Sequence, residues 1–309
     1  MGTEPAEQRS GFVALVGRPN TGKSTLTNAL VGEKVAITSS RPQTTRRAIR
    51  GIVDRPGGQL VLVDTPGLHR PRTLLGERLN ALVRESTAQV DVVAMCLPAD
   101  EPVGPGDRHL AAELAGTPRT AKVAVVTKSD KVDRGRLATR LVEVSALAER
   151  AGFDWAEVVP VSAVRGEQVE LLADLLLGLL PVGPRLYPDG EPTDEPADLR
   201  VAELVREAAL EGVREELPHS IAVVVQEMGL RPDRPADRQL MDVHATIFVE
   251  RDSQKAIVIG RRGERLREVG TRARHEIERL LGTPVYLDLH VTVAKDWQRD
   301  PRELRKLGF

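Results

Sequence analysis

FVALVGRPNTGKST, residues 12–25, is the stretch of sequence that decides the fold. Its first five residues are apolar and β-prone, and the rest matches the pattern G-x-x-x-x-G-K-[ST]. A strand that runs through a glycine-rich loop into a helix presents consecutive backbone N–H groups, and the positive end of the helix, to phosphate groups. The stretch therefore predicts an α/β domain with a phosphate-binding loop.

Particular side chains of this loop have predicted roles. Lys23 is expected to reach the β- and γ-phosphates of a nucleotide, and the Ser24 hydroxyl is expected to ligate Mg²⁺. An accidental glycine-rich turn is the alternative, and the strand before the loop and the helix after it argue against that reading. The predicted phosphate-binding residues are Gly17, Asn20, Thr21, Gly22, Lys23, Ser24 and Thr25.

Three later segments, each at the end of a strand pattern, favour guanine over adenine as the base. In DTPG, residues 64–67, Asp64 suits a water-mediated Mg²⁺ ligand and the Gly67 N–H suits the γ-phosphate. In TKSD, residues 127–130, the Asp130 carboxylate can accept two hydrogen bonds from guanine N1–H and N2–H₂, donors that adenine lacks. In VSA, residues 161–163, the Ala163 N–H can meet guanine O6. The predicted guanine-binding residues are Thr127, Lys128, Asp130, Ser162 and Ala163.

The rest of the chain divides by pattern and composition. Residues 11–180 alternate β-prone runs with helical patterns, which predicts a mostly parallel six-stranded sheet with helices on both faces. RPGG, residues 55–58, predicts a hairpin turn and one antiparallel pair. Residues 1–10 are expected to be flexible. Residues 181–198 contain five prolines and five acidic residues, which predicts a linker before a second domain at 199–309.

IVIGRRGERL, residues 257–266, predicts an RNA site in the second domain. A G-x-x-G loop between two helices is typical of KH domains, here an α+β domain of type II, which clamp about four nucleotides. A plain helix–turn–helix corner is the alternative. Residues 251–309 carry 14 Lys+Arg against 9 Asp+Glu, an excess of 5 in a chain of net charge −1, which favours phosphate contact. The predicted RNA-binding residues are Lys255, Ile257, Ile259, Gly260, Arg261, Arg262 and Gly263, with Ile257, Val258, Ile259 and Leu266 expected to form the groove for the bases.

Composition excludes several classes of protein. The chain is 41% apolar and 29% charged, as in ordinary globular domains. Its one cysteine, Cys96, lies in an apolar run, which predicts a buried thiol, excludes an intramolecular disulfide and fits a reducing cytoplasm. The six histidines show no H-x-x-x-H spacing, so no zinc site is expected. No apolar run approaches the ~20 residues that span a bilayer.

Several of these segments resemble the bacterial Era GTPase family, a branch of the Ras-like translation-factor class. They are DTPG, SA at 162–163, ERDSQK at 250–255, LPHS at 217–220 and the closing segment from Trp297. The resemblance covers nearly the whole chain. It implies hydrolysis of GTP to GDP and phosphate, binding to the 3′ end of 16S ribosomal RNA, and maturation of the 30S subunit through a GTP-controlled switch. We expect a cytoplasmic monomer.

The same resemblance implies further site residues. TTR at 44–46 implies that Thr45 ligates Mg²⁺ and meets the γ-phosphate, with Thr44 as the alternative; Lys23, Thr45 and Gly67 are then the predicted catalytic residues. Asn20 either holds a potassium ion, as in some relatives, or only shapes the loop. Peripheral association with the inner face of the membrane is also implied, although the sequence offers no strongly basic amphipathic helix for it.

Two residues depart from the related patterns. Thr127 stands where N-K-x-D has Asn; we expect Thr127 to keep a hydroxyl hydrogen bond to the phosphate loop, with altered nucleotide affinity. Leu68 stands where Ras-like enzymes place a water-orienting Gln, which predicts slow intrinsic hydrolysis. His69 is either a base or a solvated switch residue. The alternative function is a GTP-sensing RNA-binding regulator with a non-ribosomal target or negligible hydrolysis.

Overall fold

The chain forms two compact units. The computed structural model describes residues 7–39, 44–68, 71, 73–211, 220–232, 234–235 and 238–309. The first unit comprises Met1–Thr38, Thr45–Pro71 and Gly76–Asp194, and the second comprises Ser39–Thr44, Arg72–Leu75 and Glu195–Phe309. The division between the two main bodies falls between Asp194 and Glu195, inside the predicted linker.

The first unit is built on a six-stranded sheet. Its strands are β1 (Arg9–Val16), β2 (Ile49–Arg55), β3 (Gly58–Asp64), β4 (Val92–Pro98), β5 (Ala121–Thr127) and β6 (Glu157–Pro160). They lie in the order β2-β3-β1-β4-β5-β6. Every neighbouring pair is parallel except β2 and β3, which form the predicted antiparallel hairpin. The predicted fold class is confirmed.

Helices cover both faces of this sheet. They are α1 (Lys23–Val31), α2 (Leu74–Ala88), α3 (Pro105–Ala115), α4 (Arg134–Ala151) and α5 (Val169–Leu179). One apolar cluster joins the sheet to α1 and α5, and another joins it to α2, α3 and α4. Because both faces are covered, β4 is apolar and buried along its length. Cys96, in β4, is buried as predicted, and burial raises the pKa of its thiol to about 12.

The ends of the first unit differ from the sequence predictions in detail. β1 begins at Arg9, so residues 9 and 10 of the segment predicted to be flexible belong to the sheet, where Arg9 pairs with Gly58. Residues 1–6 lie outside the described residues. The proline-rich segment forms hydrogen bonds along β2 and β3: the Ile52 N–H donates to the Pro192 carbonyl at 2.9 Å, and the Gln59 Oε1 accepts from the Tyr187 N–H at 2.9 Å.

The second unit contains a three-stranded sheet and helices. Its elements are α6 (Ala197–Leu210), β7 (Ala222–Leu230), β8 (Met241–Val249), α7 (Asp252–Ile259), α8 (Glu264–Leu281), β9 (Val285–Val293) and α9 (Pro301–Lys306). The strand order is β7-β8-β9, with β7 antiparallel and β9 parallel to β8. A parallel pair requires a crossover, which α7 and α8 supply. Residues 212–219, which include the first three residues of LPHS, lie outside the described residues.

The ERDSQK segment stabilises the start of α7. Gln254 is buried; its Oε1 accepts from the Glu250 and Arg251 N–H groups at 2.9 and 3.1 Å, and its Nε2 donates to the Ser220 hydroxyl at 3.1 Å. The Ser220 carbonyl accepts from the fully buried indole of Trp297 at 3.0 Å. Gln254 and Trp297, from two segments that carry the family resemblance, thus have structural roles. Among the described residues, no helix is both long and apolar enough to cross a membrane.

Candidate nucleotide and RNA sites

Lys23, the first residue of α1, is held inside the phosphate loop. Its Nζ donates to the carbonyls of Gly17 and Arg18 at 3.2 and 3.0 Å, and the side chain is buried. Burial lowers the pKa of Lys23, and the negative charge of Asp64 opposes that effect. A cation fixed by two carbonyls at a helix N-terminus is preorganised for the oxygens of a polyphosphate, because it needs little rearrangement when they bind.

Ser24, Thr45 and Asp64 bring their oxygens together beside Lys23. The Ser24 hydroxyl donates to Asp64 Oδ2 at 2.7 Å and lies 2.9 Å from the Thr45 hydroxyl, which is 3.4 Å from the same carboxylate oxygen. The other oxygen, Asp64 Oδ1, is buried and has no hydrogen-bond partner within the described part of the chain. A hard oxygen set with one unpartnered carboxylate oxygen fits Mg²⁺, which prefers one or two protein carboxylates plus phosphates and water.

The burial of Asp64 is expected to make the free energy of unfolding depend on pH. Burial raises its pKa from 3.8 to about 6, against the opposing effects of Lys23, Ser24 and Thr45. The unfolded chain therefore ionises first, and the free energy of unfolding is expected to fall by roughly 1–3 kcal/mol as the pH rises from about 4 to about 6. Asp64→Asn should remove this slope in urea unfolding measured in chelator; a variant with the parent's slope would contradict the assignment.

Gly67 and Leu68 lie against the phosphate loop. A Cβ added at Gly67 would stand 2.6 Å from the backbone nitrogen of Pro19, so only glycine fits there. The Leu68 N–H donates to the Gly17 carbonyl at 3.2 Å, and the Leu68 side chain packs against the apolar cluster around α3 and α4. An aliphatic group at position 68 offers no hydrogen bond to a water molecule. His69 lies outside the described residues.

Asp130 is oriented by a neighbouring hydroxyl. It lies in a 3₁₀ turn, Ser129–Lys131, directly after β5, and its Oδ1 accepts from the Ser162 hydroxyl at 2.7 Å. The Arg165 N–H in turn donates to Ser162 at 3.2 Å. Ala163 follows Ser162 in the same turn. The structure thus brings the predicted guanine-binding segments 127–130 and 162–163 together.

Thr127 makes the hydrogen bond that its hydroxyl was expected to make. Its Oγ1 donates to the Thr21 carbonyl at 2.6 Å, and both groups are buried. Thr21 in turn donates its hydroxyl to the Arg18 carbonyl at 3.0 Å. Thr127 has a shorter side chain than the Asn of N-K-x-D, yet it still connects the segment 127–130 to the phosphate loop. Asn20 is exposed within that loop, with Gly22 and Thr25 at the start of α1.

Non-glycine residues in the left-handed region occur in all three predicted binding loops. Asn20, Lys128 and Arg262 have φ values of 63°, 56° and 52°. This conformation is uncommon for residues with a side chain and occurs preferentially at functional sites, where surrounding contacts enforce it.

The G-x-x-G loop joins α7 to α8 through a 3₁₀ turn, as predicted. Gly260 has φ 72° and ψ 176°, and a Cβ there would stand 2.6 Å from the Cβ of Arg265. Only glycine is compatible with that backbone. Arg261 and Arg262 are exposed, and no carboxylate in the described residues pairs with either. The turn thus presents its backbone and two positive charges to solvent.

A groove of about 510 Å³ runs beside this loop, between α8 and β9. Its walls include Gly263 and the aliphatic side chains of Leu266, Leu287 and Leu289. Leu266 lies where it was predicted. Ile257 and Ile259 are not among the lining residues; Ile257 is 52% exposed, and Val258 is fully buried in the core.

Sequence reasoning missed two cations of this groove. Arg267 and Arg274 line it, and within the described residues neither pairs with a carboxylate. Arg272 and Arg279 on the same helix pair with Glu211 and Glu276. The spacing from Gly263 through 267 and 270 to 274 is that of one helix face, and this signal could have identified them.

Comparison with known proteins identifies the family. A model described as a 50S ribosome-binding GTPase matches residues 12–128, and a KH-domain model matches residues 216–298. GTPase Era of Nocardioides sp. is 66% identical over 308 residues, covering 100% of this chain and 98% of that protein. The chain belongs to the GTPase Era family. GTPase Era of Streptomyces coelicolor is 65% identical, covering 99% of this chain and 97% of that protein.

Solved Era structures share the fold. An Aquifex aeolicus Era variant bound to GDP·AlF4− is 36% identical with a TM-score of 0.91, covering 97% of this chain and 99% of that chain. A second Era structure, in complex with MgGDPNP and nucleotides 1506–1542 of 16S ribosomal RNA, has the same identity, TM-score and coverage. The predictions of a P-loop G domain, a KH domain and membership of this family are confirmed.

Proposed function

We propose that this chain hydrolyses GTP, binds the 3′ end of 16S ribosomal RNA and assists maturation of the 30S subunit as a cytoplasmic GTP-controlled switch. One observation carries the proposal. The Lys23 ammonium and the clustered side-chain oxygens of Ser24, Thr45 and Asp64 form one site, in a chain whose KH domain also has a groove. The Era complex with MgGDPNP and nucleotides 1506–1542 of 16S RNA supports it, because that relative binds both ligands together.

Hydrolysis follows from the arrangement around the phosphate loop. Water attacks the γ-phosphorus, the bond to the β–γ bridging oxygen breaks, and GDP leaves with the electron pair. Lys23 neutralises charge on the β- and γ-phosphate oxygens, and the Gly67 N–H stabilises the transferred group. Ser24, Thr45 and Asp64 would hold Mg²⁺, which would supply further electrostatic stabilisation of the charge on the phosphates. The protein mainly positions and neutralises, because phosphoryl transfer needs little covalent chemistry.

The switch is proposed to act through the segments around Thr45 and Gly67. Thr45 belongs to the first unit, where it contacts Ser24. Thr44, the residue before it, belongs by its contacts to the second unit, where the buried Arg206 of α6 donates to its carbonyl. The proposal is that GTP and Mg²⁺ change the segment around Thr45 and that this change controls RNA binding.

Turnover measurements separate this function from a GTP-sensing regulator. Leu68 makes slow intrinsic hydrolysis the expectation. We expect an oligonucleotide of the 16S 3′ end to raise GTP turnover, with Lys23→Ala as the control for contaminating activity. Comparing potassium with sodium tests a cation at Asn20. Turnover indistinguishable from Lys23→Ala in every condition would favour the non-hydrolysing regulator.

Monomeric state and peripheral membrane association are further parts of the proposal, testable by sedimentation and vesicle binding.

Removing Arg267 and Arg274 is expected to weaken RNA binding electrostatically. If each contacts one phosphate, the slope of log affinity against log salt should fall by about 0.7 per arginine for a single strand. The readout is fluorescence anisotropy of the labelled 3′-end oligonucleotide from low to high salt. Arg272→Ala and Arg279→Ala remove arginines of the same helix that are already paired, and should leave the slope near the parent's. Equal slopes for both pairs would refute the groove assignment.

A further inference from the structure

Arg18 is bonded through both its backbone and its side chain. Its carbonyl accepts from the Lys23 ammonium and from the Thr21 hydroxyl, each at 3.0 Å. Its guanidinium bonds to residues outside the phosphate loop: Nε donates to Asp107 Oδ1 at 2.8 Å, and a terminal nitrogen lies 3.2 Å from the Glu101 carboxylate. The carbonyl that holds the phosphate-binding lysine thus belongs to the residue that Asp107 anchors.

Asp107 is built into α3 to receive this arginine. It is fully buried, and its second oxygen accepts from the Gly104 N–H at 2.8 Å where the helix begins. A Cβ added at Gly106 would stand 2.9 Å from Arg18 Cδ, so the first turn of α3 is shaped around the arginine's aliphatic stem. A buried carboxylate is stable only when it is paired and hydrogen-bonded, and Arg18 with Gly104 meet both requirements.

The loop before α3 also contacts the base-binding segment. Glu101 lies 3.2 Å from Arg18 and 3.8 Å from the Lys128 ammonium, and Asp100 lies 3.6 Å from Lys128. These pairs are partly exposed and therefore individually weak. Asp107 differs from them because it is buried and because, apart from the start of its own helix, it bonds to the phosphate-loop residue Arg18. Its effect should therefore fall on phosphate binding and not on base choice.

We propose that Asp107 is a positioning residue for GTP and GDP: through Arg18 it fixes the loop carbonyl that orients Lys23. The proposal rests on the proposed GTP-binding function and deepens it. Without the anchor, the loop samples arrangements in which Lys23 is misdirected. Apparent nucleotide affinity then falls by the fraction of molecules in the competent arrangement, while molecules that have bound nucleotide retain the chemistry.

Asp107→Asn is expected to weaken GDP and GTP binding about 10- to 100-fold, the range associated with small misplacements of a binding group. Single-turnover hydrolysis at saturating GTP and the preference for guanine over adenine should each change less than ~3-fold. Arg18→Met should cause a similar loss, and the double variant should lose little more than either single one, because both remove the same contact. Glu113→Gln is the matched control, since Glu113 lies on the same helix as Asp107, α3, and the substitution breaks an ion pair with Arg84 of α2.

Stopped-flow release of a fluorescent GDP, with thermal unfolding in parallel, decides the matter. Parent-like GDP affinity in Asp107→Asn, or losses that simply add in the double variant, would overturn the positioning role. If Asp107→Asn does not fold, Arg18→Met alone decides, with parent-like GDP affinity counting against the proposal. A parent protein that binds no guanine nucleotide would instead refute the proposed function itself, so the two failures are distinguishable.

Discussion

Lys23→Ala is expected to abolish measurable GTP hydrolysis, with a loss in kcat/KM of at least about 10²–10³-fold, the range for removing one preorganised charge-stabilising group. The substitution removes a buried cation whose Nζ is held by the carbonyls of Gly17 and Arg18. It also removes the positive charge that opposes the effect of burial on the pKa of Asp64. Phosphate release from GTP under single-turnover conditions measures the effect, with GDP affinity measured on the same protein.

Lys306→Ala is the control for this experiment, because Lys306 pairs with Glu303 in the second unit and has no place in the nucleotide site. It should keep the parent's turnover and melting temperature. Hydrolysis in Lys23→Ala comparable to the parent would mean either that a contaminating enzyme carries the activity or that the phosphate loop acts without its lysine, and the second outcome would remove the basis of the proposed mechanism.

The nucleotide site could be predicted because its chemistry is local. Lys23 and Ser24 follow directly from a strand, a loop and a helix, and a motif of eight residues fixes their relation. Asp130 requires only the end of another strand. A hydrogen bond from the Thr127 hydroxyl to the phosphate loop was likewise expected from the resemblance to N-K-x-D, and the structure shows its partner to be the Thr21 carbonyl, 106 residues earlier.

Which charged residues form ion pairs depends on partners distant in the chain. Arg272 and Arg274 look alike in sequence, yet Arg272 pairs with Glu211, 61 residues away, and Arg274 faces the groove. Asp107 reads as an ordinary acidic residue at the start of a helix, and only its contact with Arg18, 89 residues earlier, shows a buried ion pair. Composition does not carry such information.

The proline-rich segment shows the same limit. Its prolines disfavour regular helix, and α5 ends at Leu179, but α6 begins at Ala197, so residues 197 and 198 of the predicted linker are helical. Composition says nothing about the side chain of Gln59, whose amide oxygen accepts from the Leu186 and Tyr187 N–H groups more than 120 residues later. The buried amide of Gln59 therefore helps to hold residues 186 and 187 against β3, although composition alone predicts only a spacer there.

Asp130→Asn is expected to change which purine the protein binds. In the proposed binding mode the carboxylate would accept from both N1–H and N2–H₂ of guanine, whereas an amide can accept only one of these bonds and turns its own N–H groups toward the other donor. Loss of one or two hydrogen bonds to a charged group weakens GTP binding by about 10²–10⁴-fold. Xanthine carries an oxygen in place of the 2-amino group and so accepts the amide's N–H, which should restore much of the affinity with XTP.

Competition of GTP, XTP and ATP against a fluorescent GDP, repeated with fluorescent XDP for the variant, measures this change. Asp133→Asn makes the same chemical substitution three residues later, where the carboxylate caps α4 by accepting from the Arg136 N–H at 2.9 Å, and it should leave base preference unaltered. Because Ser162 can still donate to an amide oxygen at position 130, the substituted side chain should stay oriented. A variant that still prefers GTP to XTP would show that the carboxylate of Asp130 does not read the base.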